Sequence, residues 1–199
     1  MPLRQIIVAL LLTVAAAAQV IEFESGGLRY QTLTKGGVTV MWAQLPTHIP
    51  PYSIVQAAIS NGSPITWTVK PEDFTFQRQD GGALSATPAR NVVSGFVDKG
   101  GRNDVIKLVN AYEQGLYGMT RFRSTNGYEV RRQAALAEVS STRLKAAAAA
   151  SAIVFVQTKL SSGQSTDGAL FFANSAKLLA PGKLVVRVAG EVFEFEVSQ

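Results

Sequence analysis

Residues 184–195 read LVVRVAGEVFEF, and this stretch decides the fold because it predicts a β-hairpin with two assignable faces. A two-residue turn at Ala189-Gly190 sets the register of the strands. The facing pairs are then Val188 with Glu191, Val186 with Phe193, and Leu184 with Phe195. The other face carries Val185, Arg187, Glu194 and Glu196, with Arg187 diagonal to Glu194 for a cross-strand ion pair. Because a slip of one residue would turn every side chain over, a register that suits both faces supports the hairpin.

Alternating apolar residues indicate further strands from Ile21 to about Thr87. Residues 38–42 alternate after a Gly36-Gly37 turn, whereas residues 52–59 are apolar on both faces, as in a central strand. A turn at Asn61-Gly62 follows. The later strand positions are Ile65, Trp67 and Val69, then Phe74 and Phe76 before a turn at residues 80–82.

The apolar period becomes helical in the middle of the chain. One stripe at helical spacing consists of Val105, Ile106, Leu108, Val109, Tyr112 and Leu116. Asn103 or Asp104 can cap the start of this helix, and a shorter helix is predicted at about residues 89–97. A second long helix is predicted from about residue 126 to residue 150, where alanines favour helix, with a bend or restart at Ser140-Ser141-Thr142.

The chain returns to β structure after Ala152. The apolar runs at residues 153–156 and 169–172 predict two strands before the hairpin. The order of strands, helices and strands predicts a mainly β (α+β) fold, an antiparallel immunoglobulin-like β-sandwich interrupted by two to three helices. We assign residues 19–199 to a single β-sandwich domain with a helical insertion at about residues 88–150.

Two C-terminal segments carry a resemblance to a known family. Residues 159–172, KLSSGQSTDGALFF, and residues 181–187, PGKLVVR, resemble the last strands of secreted bacterial immunoglobulin-like sandwich domains. In those domains a strand ends in a glycine-containing loop, a strand with two phenylalanines follows, and a hairpin closes the sheet. The resemblance implies this architecture and no catalytic motif. The chain has no cysteine, so it lacks the Cys–Trp–Cys core of antibody-type domains.

The first eighteen residues, MPLRQIIVALLLTVAAAA, have the order of a secretory signal peptide. Arg4 gives a positive start, residues 6–14 are apolar but short for a bilayer span, and Ala16-x-Ala18 offers a cleavage site before Gln19. We expect a secreted or periplasmic protein with no membrane span after signal cleavage. The lack of cysteine excludes disulfides, a thiol nucleophile and a lipid-modified cysteine.

Catalytic candidates are few. His48 is the only histidine, in a proline-rich stretch that predicts a loop, and without a second histidine or a cysteine a zinc site is excluded. A Ser–His–Asp triad stays open, although no Gly-x-Ser-x-Gly elbow places a serine. Glu72 and Asp73 could belong to a glycosidase pair, whose carboxyls lie roughly 5–9 Å apart, or to an ordinary turn. We expect no metal and no cofactor.

Residues 98–104, DKGGRND, match a calcium loop only superficially. Gly100 and Arg102 occupy positions at which an EF-hand supplies oxygen ligands, and Lys99 adds an opposing charge. A helix cap after a flexible linker is the better interpretation of this segment.

A basic segment at residues 121–145 carries a charge of about +4, within a chain of formal charge +5. Its candidate binding residues are Arg121, Arg123, Arg131, Arg132, Arg143 and Lys145. For an exported protein the ligand would be an anionic envelope polymer or an acidic partner. A solvated helix face is the alternative.

These patterns favour a non-enzymatic interaction or structural module. The helical insertion is the expected surface for a protein partner or self-association if its apolar stripe protrudes, whereas a stripe that covers the sandwich is architecture only. Two alternatives stay open: a hydrolase of cell-wall glycan or peptide acting through His48 or a carboxylate pair, and anionic-polymer binding through residues 121–145.

Overall fold

The computed structural model describes residues 19–104, 106–108, 110, 113, 141–174, 178–179 and 181–198. Its strands are β1 Ile21–Ser25, β2 Leu28–Lys35, β3 Val38–Ile49, β4 Tyr52–Asn61, β5 Trp67–Val69, β6 Phe74–Arg78, β7 Ala83–Ser85, β8 Thr158–Leu160, β9 Ser165–Ala173, β10 Gly182–Val188 and β11 Glu191–Val197. Its helices are α1 Ala89–Lys99 and α2 Thr142–Ile153, with a 3-10 turn at Pro71–Asp73. Residues 102–104, 106–108, 110 and 113 are also helical.

The strands form two large antiparallel sheets and one small one. The central sheet has the order β1-β2-β3-β4-β9, and the outer sheet has the order β11-β10-β6-β7. Strands β5 and β8 pair separately. The described chain is therefore mainly β and antiparallel, as the alternation predicts.

The two large sheets share one buried cluster. Inward residues of the central sheet, such as Val40 and Trp42, belong to the same cluster as Phe193 and Phe195 of the outer sheet. The rings of Trp42 and Phe195 meet edge to face, with centroids 6.2 Å apart. Burial of aromatic rings between facing sheets is the main driving force expected for this arrangement.

The opposite face of the central sheet is covered by helices. Phe96 of α1 lies beside Tyr52 and Phe171, and the alanines of α2 are buried against the same cluster. Because alanine side chains are small, α2 approaches α1 closely: a Cβ added at Gly100 would lie 2.7 Å from the Cβ of Ala146. The described part of the insertion thus covers the central sheet and does not protrude from it. Of the two arrangements considered in the sequence analysis, this is the one in which the helices serve the architecture of the fold.

The helix predictions are confirmed in part. The short helix is present as α1, and α2 begins after Ser141, whose backbone is extended; whether a helix precedes this point lies outside the described residues. Leu108 is buried as the stripe requires, but Ile106 is 50% exposed, so its assignment to the buried stripe is wrong. The remaining stripe residues, Val105, Val109, Tyr112 and Leu116, and residues 126–140 lie outside the described ranges.

Two strand predictions need correction. Residues 153–156 do not form a strand: Ile153 ends α2, and Val154 makes a single parallel bridge to Ala169. Ile153 and Val154 belong to the buried cluster under the helices, and Phe155 belongs to the cluster between the sheets. A short buried run is apolar whether it is helix or strand, so the apolar pattern alone does not distinguish the two. Ile65 is 59% exposed and precedes β5, so it does not share the buried face of Trp67.

The C-terminal hairpin has the predicted register, with Val186 opposite Phe193 and Leu184 opposite Phe195. The ion pair differs from the prediction, because Glu194 pairs with Lys183 at 3.0 Å. The Lys183 hydrogen bond lowers the pKa of Glu194, and the charge of Arg187 contributes to the same lowering. Arg187 is therefore a neighbouring charge and Lys183 is the partner.

Replacing Ala189 by asparagine is expected to raise the free energy of unfolding by about 0.5–1 kcal/mol. Ala189 has a φ of 53° and Gly190 a φ of 79°, so both turn residues adopt the left-handed conformation that asparagine tolerates better than alanine. Urea unfolding of the variant and the wild type checks this. Gly190→Ala is the matched control: a Cβ there meets no atom within 4 Å, so it should lower stability through backbone strain alone. Equal stability of all three chains would contradict the interpretation.

Strand β4 ends in a fully buried asparagine that organises the following loop. The amide nitrogen of Asn61 donates to the carbonyl oxygens of Ile65 at 2.7 Å and Leu160 at 3.0 Å. Its amide oxygen accepts hydrogen bonds from the backbone nitrogen and the hydroxyl of Ser63. One side chain therefore ties β4 to the loop and to β8.

Candidate functional site

A cleft opens at one side of the two facing sheets, where the edge strand β11 lies beside β2. Its volume is about 200 Å³. The lining residues are Arg29, Gln31, Trp42, Gln44, Glu196, Val197 and Ser198. These residues come from β2, β3 and the C-terminal end of β11, so the cleft exists only in the folded chain.

Strand alternation places the polar residues of β2 and β3 on one face. Gln31 lies directly opposite Trp42 in the register of these strands. Tyr30 and Ala43, one position away on each strand, turn toward the helices. Gln31 and Gln44 thus occupy inward positions that apolar residues hold farther along the same strands.

Glu22 of β1 holds two of the cleft side chains. Its carboxylate pairs with the guanidinium of Arg29 and accepts a hydrogen bond of 2.6 Å from the amide nitrogen of Gln31. The same Gln31 nitrogen donates to the carbonyl oxygen of Glu196 at 3.1 Å. The hydrogen bond from Arg29, followed by that from Gln31, lowers the pKa of Glu22. The carboxylate therefore stays charged at neutral pH and fixes the direction of the Gln31 amide.

Three buried polar atoms of the cleft residues have no hydrogen-bond partner among the described residues. They are the amide oxygen of Gln31, the indole nitrogen of Trp42 and the amide nitrogen of Gln44. Trp42 is only 5% exposed. Because a buried polar group without a partner costs about 1–3 kcal/mol, three around one cleft suggest a site built for a polar ligand.

The charged groups around the cleft are already paired. Arg29 is bound to Glu22, and the carboxylate of Glu196 lies 3.3 Å from the ammonium group of Lys183. Paired charges at an exposed site produce a weak net field. The cleft is consequently polar without a strong preference for an ion of either sign.

Side chains of β2 cover two carbonyl groups on the open edge of β11. The ammonium group of Lys35 donates to the carbonyl oxygen of Val192 at 2.6 Å, and Gln31 donates to that of Glu196. Lys35 also lies 5.8 Å from the ring centre of Phe193. Two carbonyl groups of this edge are therefore already bonded, which hinders the addition of another strand there.

His48 lies in β3, so the predicted loop position is wrong. It stands opposite Ser53 in the β3–β4 register, and its Nδ1 is buried without a partner among the described residues. The hydroxyl of Ser53 accepts a hydrogen bond of 3.0 Å from Asn174. A nucleophilic serine must reach its substrate, and Ser53 is fully buried, so this arrangement does not favour the hydrolase alternative.

The acidic candidates take structural positions. Glu72 and Asp73 lie in the 3-10 turn, where the Asp73 carboxylate accepts a hydrogen bond of 2.9 Å from the backbone nitrogen of Lys70. Burial raises the pKa of Asp73, against the lowering effect of that hydrogen bond. Asp104 accepts a hydrogen bond of 2.8 Å from the backbone nitrogen of Gly101, which is the capping interaction expected of residues 98–104.

The basic candidates are only partly described. Arg143 and Lys145 are exposed on the first turn of α2, and the others, Arg121, Arg123, Arg131 and Arg132, lie outside the described ranges. Across the described residues, no group of three or more His, Asp or Glu side chains is arranged to hold a metal ion. Helices of the length and hydropathy needed to cross a membrane are likewise absent from this part of the chain.

The fold and the cleft define the class as a mainly β protein with two facing antiparallel sheets and a polar side cleft. No protein-family model, curated protein or solved structure matches the chain. The sequence analysis missed the cleft residues because they form no motif. The available signal was the pair of glutamines, Gln31 and Gln44, at inward positions of otherwise apolar strand faces.

Proposed function

We propose that this protein is an exported, non-enzymatic binding module with an immunoglobulin-like sandwich, and that its ligand binds in the cleft between β2, β3 and the end of β11. The observation that carries the proposal is the set of three unpartnered polar atoms on Gln31, Trp42 and Gln44. Export rests on the signal-peptide pattern of the first eighteen residues, which would bring the module to the cell envelope.

The packing of α1 and α2 supports the cleft over these two helices of the insertion as the binding surface. The small side chains of α2 are buried in contacts with α1 and the central sheet, so they are not available to a partner. The cleft, in contrast, keeps hydrogen-bonding capacity that the described protein groups do not use. A buried polar group without a partner calls for an explanation, and a ligand that supplies the partner is one.

Cosedimentation with purified peptidoglycan sacculi tests the proposal. The full-length chain is expressed in a Gram-negative host and recovered from the periplasm, with its amino terminus expected at Gln19. Wild type is expected to sediment with the sacculi, and Gln44→Leu to bind at least about tenfold more weakly. Gln77→Leu, at an exposed glutamine of β6 that does not line the cleft, is the matched control and should bind as wild type does.

The stability of Gln44→Leu separates a functional role from a structural one. Its amide nitrogen is buried without a partner, so replacing the amide by an apolar group is expected to leave the free energy of unfolding unchanged or to raise it. Loss of binding with retained stability supports the proposal. Undiminished binding by Gln44→Leu that weakens steeply with salt would place the site on the basic segment 121–145 and overturn it.

A further inference from the structure

We propose that the cleft recognises a neutral, hydroxyl-bearing saccharide, so that the protein binds the glycan strand of a wall polymer and not its peptide. This inference rests on the proposed function, because it names the ligand class for the same cleft. Three independent properties of the site lead to it: the mixture of free donors and acceptors, the paired charges, and the covered edge of β11.

The unpartnered hydrogen-bonding atoms of the cleft residues include an acceptor as well as donors. The amide oxygen of Gln31 needs a donor, whereas the nitrogens of Trp42 and Gln44 need acceptors. A hydroxyl group is donor and acceptor at once, so the hydroxyls of a saccharide can supply both the donor and the acceptors that these atoms lack. The orientation of Gln31 is set by its two hydrogen bonds to Glu22 and Glu196, which leaves its oxygen as the acceptor.

The charge pattern argues for a neutral ligand. The Arg29 guanidinium is bound to Glu22, and the Glu196 carboxylate is bound to Lys183. An anionic ligand would have to compete with Glu22 for Arg29, and a cationic one with Lys183 for Glu196. A neutral saccharide makes hydrogen bonds without breaking either pair.

The edge of β11 argues against an extended peptide. Peptides that add to a sheet use the free backbone groups of its edge strand. Here the carbonyl oxygens of Val192 and Glu196 already accept hydrogen bonds from Lys35 and Gln31. Recognition through the side chains of the cleft is therefore favoured, and amide and indole groups such as those of Gln44 and Trp42 can hydrogen-bond hydroxyl groups.

Binding requires a small rearrangement of the cleft. The unpartnered atoms of Gln31 and Gln44 are almost fully covered in the free chain, although both side chains are only half-buried. The terminal torsion of a glutamine is broad, so the Gln44 amide can rotate toward a ligand at low cost, whereas the Gln31 amide keeps the direction that Glu22 and Glu196 set. Trp42 lines the same cleft, so its indole N–H signal reports on that change.

Nuclear magnetic resonance of the ¹⁵N-labelled, processed chain tests the inference. The protein has two tryptophans, and Trp67 does not line the cleft, so its indole signal is an internal control. Trp67→Phe assigns the two signals. The probes are chitotetraose as a neutral glycan, a wall stem peptide, and inorganic phosphate.

We expect chitotetraose to shift the Trp42 indole signal in a saturable way, without moving that of Trp67. The apparent affinity should stay the same when salt is raised, and Gln44→Leu should weaken it at least about tenfold. The wild-type titration decides the result, and Trp67→Phe is needed only to assign the two indole signals.

Two results would overturn the inference, and they differ in what they say about the proposed function. If the stem peptide or phosphate shifts the Trp42 signal and chitotetraose does not, the cleft binds a ligand of another class and only the saccharide inference fails. If no probe shifts the Trp42 signal and sacculi do not sediment with the chain, the proposed function fails with it.

Discussion

Replacing Asn61 by aspartate is expected to lower the free energy of unfolding by about 3–5 kcal/mol. The Asn61 amide nitrogen donates to the carbonyl oxygens of Ile65 and Leu160 in a fully buried position. A carboxylate oxygen there would face two carbonyl oxygens with no proton between them. The variant would bury a charge and leave two acceptors unpaired at once.

The pH dependence of this variant follows from the same contacts. Burial favours the protonated aspartic acid, whose hydroxyl can restore one of the two lost hydrogen bonds. The stability defect of Asn61→Asp relative to wild type should therefore shrink as the pH falls and the new carboxyl group binds a proton. Urea unfolding curves of both chains at several pH values measure this difference.

Asn91→Asp is the matched control for Asn61→Asp. Asn91 is exposed on α1, and the same chemical change there should alter the free energy of unfolding by less than about 0.5 kcal/mol. Similar defects in the two variants would contradict the view that the hydrogen bonds of Asn61 hold β4 to the following loop and to β8.

Gly168→Ala is expected to lower the free energy of unfolding by about 3 kcal/mol. A Cβ at residue 168 would lie 2.7 Å from the Cα and 2.9 Å from the backbone nitrogen of Phe155. That nitrogen donates a hydrogen bond of 2.8 Å to the carbonyl oxygen of Ala169. The chain leaving α2 therefore passes directly over β9, and neither backbone can move without breaking this contact.

Gly95→Ala provides the matched control on α1. The added Cβ would lie 3.7 Å from the hydroxyl of Tyr52, which is ordinary contact, and alanine favours a helix over glycine by about 0.5–1 kcal/mol. The same substitution should thus stabilise the chain at residue 95 and destabilise it at residue 168. Calorimetry or urea unfolding of both variants tests the two signs, and a stable Gly168→Ala chain would refute the close crossing.

Local patterns predicted much of the fold because the deciding information lies within a few residues. The hairpin register follows from the alternation around Ala189-Gly190, and the central position of β4 follows from its two apolar faces. The run at residues 153–156 was assigned wrongly because a buried helix end and a buried strand look alike in so short a segment.

The cleft was beyond the reach of the sequence for a different reason. Gln31 and Glu196 are 165 positions apart, and they meet only because β11 lies beside β2 in the assembled sheets. Neither strand contains a sequence motif that predicts its contact with the other. Gln31 and Gln44 are unusual because they are polar residues at positions that face inward. This can be recognised only when the structure shows which face of each strand is the inward one.

The order of strands has a consequence for biosynthesis. Strand β4 pairs with β9, and strand β6 pairs with β10. Both large sheets are therefore completed by strands that are synthesised near the end of the chain. A nascent chain that ends before residue 158 lacks these partners and leaves the edges of β4 and β6 open. Because such long-range pairing is slow and must be preceded by loop closure, folding is expected to follow release of the finished chain instead of accompanying its synthesis.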